Sequence, residues 1–218
     1  MSDAVDTTVT IRDATESDID FVAWVQLTAS RSHVPLGIWE YINGTDEEQT
    51  LAFLRAIATS DTVHWCHLSL FQIAEVEGVP AAALCGFDPT TQGMEQLMAV
   101  VPPVVIELGL ADFAGLMTRG EIVQGVASDF EPGAWVIENV ATVPAFRRRG
   151  VMDGLLRAML DRGREKGFGL AQITVFLGNE PARAAYVKAG FEKVDEKRDA
   201  EFEAAMGFPG FERLLRPL

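Results

Sequence analysis

Cysteine is almost missing from this chain. Cys66 and Cys85 are the only two in 218 residues, and neither belongs to a paired ligand spacing. That excludes a disulfide framework and a structural zinc site, and leaves two buried thiols as the expectation. Long apolar runs are missing too: none approaches the roughly 20 residues that a membrane-crossing helix needs. The first ten residues lack the basic-then-apolar order of a secretion signal, so a cytoplasmic location is expected by default. Positive charge is scarce, with 18 Lys and Arg against 32 Asp and Glu and a formal net charge of −14. This disfavours nucleic acid and membrane surfaces as partners; a cationic or amine ligand is electrostatically welcome, although acidity that merely serves solubility is the commoner reading. Internal repeats, low-complexity tracts and interdomain linkers are also missing. With 48% apolar and 23% charged residues, a single folded domain over residues 1–218 is the expectation.

What is present alternates between the two periodicities. Residues 9–12 read as a strand, and Thr15 with Asp18 announces a helix whose apolar face carries Ile19, Val22 and Val25. Thr45 and Glu48 form a capping box for a second helix through Leu51, Leu54 and Ile57, and residues 30–44 between them read as a loop. Residues 67–75 and 79–87 read as a hairpin about Glu77-Gly78. Residues 94–126 are apolar but carry Pro102-Pro103 and Gly109, which predicts short helices with a central interruption, an insertion of about residues 90–130 covering one edge of a site. Residues 135–142 form an apolar run suited to a central strand, and a helix follows from about Gly150, its C-terminal cap at Gly167. Residues 170–177, a short helix opened by Pro181, residues 191–198 and residues 211–218 complete the pattern as strand, helix, strand and strand.

The run Arg147-Arg148-Arg149-Gly150-Val151-Met152 lies at the start of that helix, just beyond the central strand. Backbone N–H groups at a helix start point outward, the dipole favours an anion, and a glycine allows close approach, so the segment suits a phosphate. It fits neither the three spaced glycines of a dinucleotide fingerprint nor the Gly-Lys-Ser/Thr of a P-loop. Asp153 in the first helical turn competes for the same positive end unless it turns aside to an arginine.

A second block, Asn179-Glu180-Pro181-Ala182-Arg183-Ala184-Ala185-Tyr186-Val187-Lys188-Ala189-Gly190-Phe191, follows at the next strand end. Together with residues 140–152 it resembles the GCN5-related N-acetyltransferase (GNAT) superfamily, with a cofactor-binding core over residues 135–193. The resemblance implies an α/β (α+β mixed sheet) fold, in which two central parallel strands splay apart and helices flank the sheet. It implies acetyl-CoA as acyl donor, with backbone groups of Val140, Ala141 and Thr142 pairing with the pantetheine arm. Arg147, Arg148, Arg149, Gly150, Val151 and Met152 would hold the pyrophosphate. Arg147 and Gly150 match the family's Gln/Arg-x-x-Gly-x-Gly/Ala pattern. Met152 departs from its last position, where a larger side chain narrows the approach while leaving backbone donation intact. Asn179 would bond the pantetheine or adenylate end, a role compatible with capping a helix.

The resemblance also assigns catalysis. Tyr186 matches the tyrosine that protonates the departing thiolate, a phenol with an ordinary pKa of about 10. The glutamate that some relatives carry five residues before the asparagine is Thr174 here. The base therefore falls to Glu138, an ionisable residue in an apolar strand, placed by alternation on the face of Val140 and Thr142. A paired structural carboxylate at Glu138 and a water chain as base are alternatives. His33 is the histidine expected to face the acceptor, and Trp39 and Tyr41 either line its pocket or pack in the core. No metal is implied. The implied reaction is direct attack of a primary amine, on a small molecule or peptide, upon the thioester, with a backbone N–H of the central strand at the oxyanion. Two alternatives remain open: a non-catalytic acyl-CoA sensor, and an enzyme using another acyl group. A homodimer through the last strands is compatible with the pattern.

Overall fold

The chain's computed structural model describes residues 9–110 and 112–218; the part of the secretion-signal reading that falls on residues 1–8 lies outside them. Seven strands form one mixed sheet in the order β1-β2-β3-β4-β5-β7-β6. They are β1 (Val9–Asp13), β2 (Phe71–Val76), β3 (Val79–Phe87), β4 (Ala134–Thr142), β5 (Leu170–Phe176), β6 (Glu192–Arg198) and β7 (Gly210–Pro217). Every neighbouring pair is antiparallel except β4 and β5. The β2–β3 hairpin forms as its sequence predicts: Glu77 (φ 54°) and Gly78 (φ 78°) are both left-handed, the combination whose twist matches the flanking strands. The tail returns as β7 and inserts between β5 and β6.

The helices are α1 (Ile19–Arg31), α2 (Ile38–Asn43), α3 (Glu47–Ala58), α4 (Pro89–Gln92), α5 (Met94–Glu107), α6 (Phe113–Val126), α7 (Val151–Glu165), α8 (Glu180–Lys188) and α9 (Ala200–Met206). On one face of the sheet, Leu155 and Met159 of α7 and Tyr186 of α8 pack on Trp135, Ile137, Ile173 and Leu214. On the other face Val22 and Val25 of α1 cover Phe71, Ala83, Val136 and Ala141. The opposite side of α1, Ala23 and Leu27, is closed by α3, α5 and α6 through Phe53, Leu97, Val101 and Leu116. Each large apolar side chain buried in this way contributes about 1.5–3 kcal/mol, and α1 contributes to two of these clusters at once.

Four local expectations are corrected. Residues 30–44 contain α2, because Glu40 turns back to accept the Gly37 N–H at 2.8 Å and pairs with the Arg31 guanidinium. The cap of α3 is Asp46, whose carboxylate accepts from the Gln49 N–H at 3.0 Å, while the Thr45 hydroxyl meets Thr50 instead. Pro102 and Pro103 do not interrupt α5. Each proline removes a hydrogen bond, yet Val100, Val101, Val104 and Val105 are all buried, and their packing offsets the loss. Residues 67–70 precede β2 as a single 3-10 turn, with the His67 side chain accepting from Ser69 N–H. The sequence reading also missed α9, which Asp199 caps at Phe202 N–H while Phe202 and Met206 are buried.

Candidate active site

β4 and β5 share a ladder only along residues 134–137 and 170–173. Beyond that point β4 stays with β3 as far as Thr142, and β5 stays with β7 as far as Phe176. Among the described residues the β5-facing edge of residues 138–142 therefore has no strand partner, and its backbone groups front a wedge between the two strands. A bulge accompanies the separation. Cys85 pairs with Glu138 and Ala83 with Ala141, so three steps of β4 oppose two of β3. Asn139 takes up the extra residue at φ 54°, a conformation that Asn adopts more readily than most residues.

The bulge corrects the expected alternation. Trp135, Ile137 and then Val140 pack toward α7, whereas Val136 and Ala141 pack toward α1. Glu138 thus does not share a face with Val140 and Thr142. It lines a cavity of about 730 Å³ on the α1 side of the sheet.

At the far end of β4, one 3-10 turn (Pro144–Phe146) leads through Arg147–Gly150 into α7. Arg148 (φ 62°) and Gly150 (φ 76°) are left-handed, and the N–H groups of Val151, Met152 and Asp153 open the helix without intrahelical acceptors. No atom lies within 4 Å of the place where a Cβ on Gly150 would stand. The helix start is open and exposed, with outward N–H groups of the kind that suit an anion. Arg147 Nε donates to the Thr142 carbonyl at 3.2 Å, and the Arg149 guanidinium lies 5.5 Å over the Phe146 ring. One of the acceptors assigned to pantetheine is therefore already engaged by an arginine. Met152 packs its side chain against the core under α7, so the departure from Gly or Ala does not cover the helix start. Asp153 turns to Lys188 at 2.5 Å rather than to an arginine.

Asn179 caps α8, its Oδ1 accepting from Ala182 N–H at 3.2 Å. Its Nδ2 donates to Ser32 Oγ at 2.6 Å, which ties the β5–α8 turn to the end of α1. The amide expected to hold pantetheine is thus engaged within the protein on both sides. His33 lies in the same corner, against Ser32 Oγ at 3.3 Å and the Phe208 ring, and is not among the residues lining the cavity.

Tyr186 comes from α8 on the α7 side of the sheet and Glu138 from β4 on the cavity side. Tyr186 is buried, and burial together with the nearby Glu138 carboxylate pushes its phenol well above the ordinary range. It keeps its proton at neutral pH. Burial raises Glu138 to about 7, so this carboxylate changes charge near neutrality. Both thiols are buried and held above their ordinary range by desolvation, which leaves them protonated. His64 is buried between the Ile57 carbonyl and the Cys66 N–H, and desolvation lowers it to about 4. His67 caps its own turn.

Trp39 lines the cavity, as do Met94, Leu97, Val101, Leu116 and Met117 of the insertion. Tyr41 instead packs with the cluster around Phe208. Sequence reasoning missed Asn43, Trp65, Ser128 and Phe130 in the same walls. Only tertiary packing brings these loop and helix-end residues beside Glu138, and no local spacing signals them. Among the described residues, no helix is long and apolar enough to cross a membrane, and no group of three or more His, Cys, Asp or Glu is placed to hold a metal ion.

A mixed sheet whose central parallel pair splays beside a glycine-led helix start defines the fold of an acetyltransferase. Residues 39–191 match the acetyltransferase (GNAT) family, and the chain belongs to it. The fold is similar to that of an N-acetyltransferase from Staphylococcus aureus Mu50, at 16% identity and TM-score 0.65 over 95% of this chain and 100% of the other. It is similar to the ribosomal-protein-S18-alanine N-acetyltransferase of Escherichia coli, at 14% identity and TM-score 0.52 over 96% and 94%. It is also similar to a GCN5-related N-acetyltransferase from Kribbella flavida, at 16% identity and TM-score 0.54 over 96% and 98%. No curated protein sequence matches the chain.

Proposed function

We propose that this protein transfers the acetyl group of acetyl-CoA to a primary amine by direct attack in a ternary complex, in the cytoplasm. The observation that carries the reading is the position of Glu138, at the point where β4 leaves β5 and on the wall of the cavity, close enough to Tyr186 for its charge to raise the phenol. When bound, acetyl-CoA supplies an activated acetyl thioester. The first-turn N–H groups of α7, with Arg148 and Gly150, hold its phosphates, and the unpaired edge of Val140 and Ala141 holds the arm.

Glu138 removes a proton from the acceptor ammonium. Its pKa of about 7 suits a base working near neutral pH. The backbone N–H groups of the bulged strand face the gap as donors for developing negative charge. Tyr186 holds its proton at Oη and is the group that donates it. The test follows CoA release with a panel of amines, for the native chain and for Tyr186→Phe. Release that depends on an amine and falls at least about 100-fold in the variant supports the reading; release unchanged by Tyr186→Phe removes the phenol from it.

A further inference from the structure

The cavity beside Glu138 has a chemistry of its own. At about 730 Å³ it is large enough to enclose a drug-sized molecule. Its walls are mainly apolar, built from side chains such as Trp39, Phe53, Trp65, Val101, Leu116 and Phe176. The charged residues among the described lining are Glu121, Asp129 and Glu138, all acidic. Glu121 is exposed, and Asp129 is exposed and paired with Lys197 at 2.9 Å, which leaves Glu138 as the inner charge.

Asn43, at the end of α2, lines the same wall. It is 4% exposed, yet among the described residues neither its amide nitrogen nor its carbonyl oxygen has a hydrogen-bond partner. A buried carboxamide is costly to leave unpaired. Arg119 fixes its surroundings, donating from Nε to the Ile42 carbonyl at 2.9 Å.

From these features we infer that the acceptor is a primary amine with a single charge carried on a sizeable apolar body. The inference rests on acetyl transfer through Glu138 as read above. The amine is drawn to Glu138 while the body is buried against aromatic and aliphatic walls, where a neutral polar group of the ligand meets Asn43. A carboxylate on the same molecule finds no cation among the described lining residues, where the charged side chains are acidic. A second ammonium has to give up its water among apolar side chains. Amino acids, short diamines and polar peptide N-termini are therefore selected against.

Helix α6 provides a clean probe. Leu116, Gly120 and Val123 fall on one cavity-facing stripe, and no atom lies within 4 Å of where a Cβ on Gly120 would stand. Gly120→Phe fills the cavity, and replacing a mid-helix glycine favours the helix.

The experiment titrates the full chain with phenethylamine, phenylalanine and putrescine, reading the fluorescence of Trp39 and Trp65 in the cavity wall, and runs the same amines in a CoA-release assay. The expected result is phenethylamine binding at least about tenfold tighter than the other two. That affinity falls at least about tenfold in Gly120→Phe, with the melting temperature of the variant unchanged or raised. Phenylalanine or putrescine binding as tightly as phenethylamine, or a Gly120→Phe variant that binds phenethylamine as the native chain does, overturns the inference. No detectable binding of phenethylamine overturns it as well. If putrescine or phenylalanine is acetylated while phenethylamine neither binds nor reacts, the inference fails and acetyl transfer stands. If phenethylamine binds as expected and no amine releases CoA, the transfer reading fails and the cavity's selectivity stands.

Discussion

Glu138 stands directly across the β3–β4 ladder from Cys85, whose thiol donates to the Glu138 carbonyl at 3.4 Å. The next residue, Asn139, sends its Nδ2 back to the same sulfur at 3.5 Å and to the Trp65 carbonyl at 3.4 Å. These contacts hold the bulge that turns Glu138 into the cavity, so its carboxyl is positioned by backbone geometry.

Asn139 is left-handed at φ 54°, so a β-branched residue there carries backbone strain. Asn139→Val is expected to lower stability by about 1–3 kcal/mol and to reduce transfer, while Asn139→Gly keeps the fold. Urea melts of the two variants check this. Equal stability of Val and Asn at this position contradicts a strained bulge.

Glu138 also links stability to pH. Its folded pKa of about 7 lies above the ordinary 4.5, so between these values the folded state holds a proton that the unfolded state has released. Its contribution therefore falls as pH rises through this window. Glu138→Gln is expected to match the native chain near pH 4 and to exceed it by about 1–3 kcal/mol near pH 8. Thermal melts at the two pH values measure the difference.

Asp18 runs the opposite way. The Arg12 guanidinium, at 2.7 Å, with the N–H and hydroxyl of Thr15, lowers its carboxyl from 3.8 to about 2. Its contribution is complete above the unfolded value and is lost as pH falls toward 2. Asp18→Asn is expected to cost about 2 kcal/mol at pH 7 and little at pH 2, read from denaturant midpoints at each pH.

At the helix start, Gly150→Asp places a carboxylate and a strained backbone beside the free N–H groups of α7. Binding of CoA, measured by calorimetry, is expected to be abolished while the far-ultraviolet spectrum is kept. An unchanged dissociation constant contradicts the phosphate assignment.

The sequence was most legible where one strong periodicity or turn signal operates. The Glu77-Gly78 hairpin, the apolar first half of β4 and the Gly150-led α7 all stand where they were read. It was least legible where distant side chains decide. α2 depends on Glu40 meeting Arg31, and α5 runs through two prolines because its valines are buried between other helices. In the candidate site, Tyr186 was readable from a motif and Glu138 as a lone ionisable residue in an apolar strand. The bulge that swings Glu138 away from the Val140 face is a ladder irregularity with β3, which alternation within one strand does not reveal. The engagement of Asn179 with Ser32, 147 positions apart, was equally out of reach.

The central claim is that Glu138 is the base for amine acetylation, and the pH profile of kcat/KM for phenethylamine tests it most directly. For the native chain the account predicts a rise through pH 7, following ionisation of a carboxyl held at about 7, and for Glu138→Gln a loss of at least about 100-fold at pH 7 with that rise gone. A Glu138→Gln enzyme that keeps both the rate and the inflection near pH 7 contradicts it.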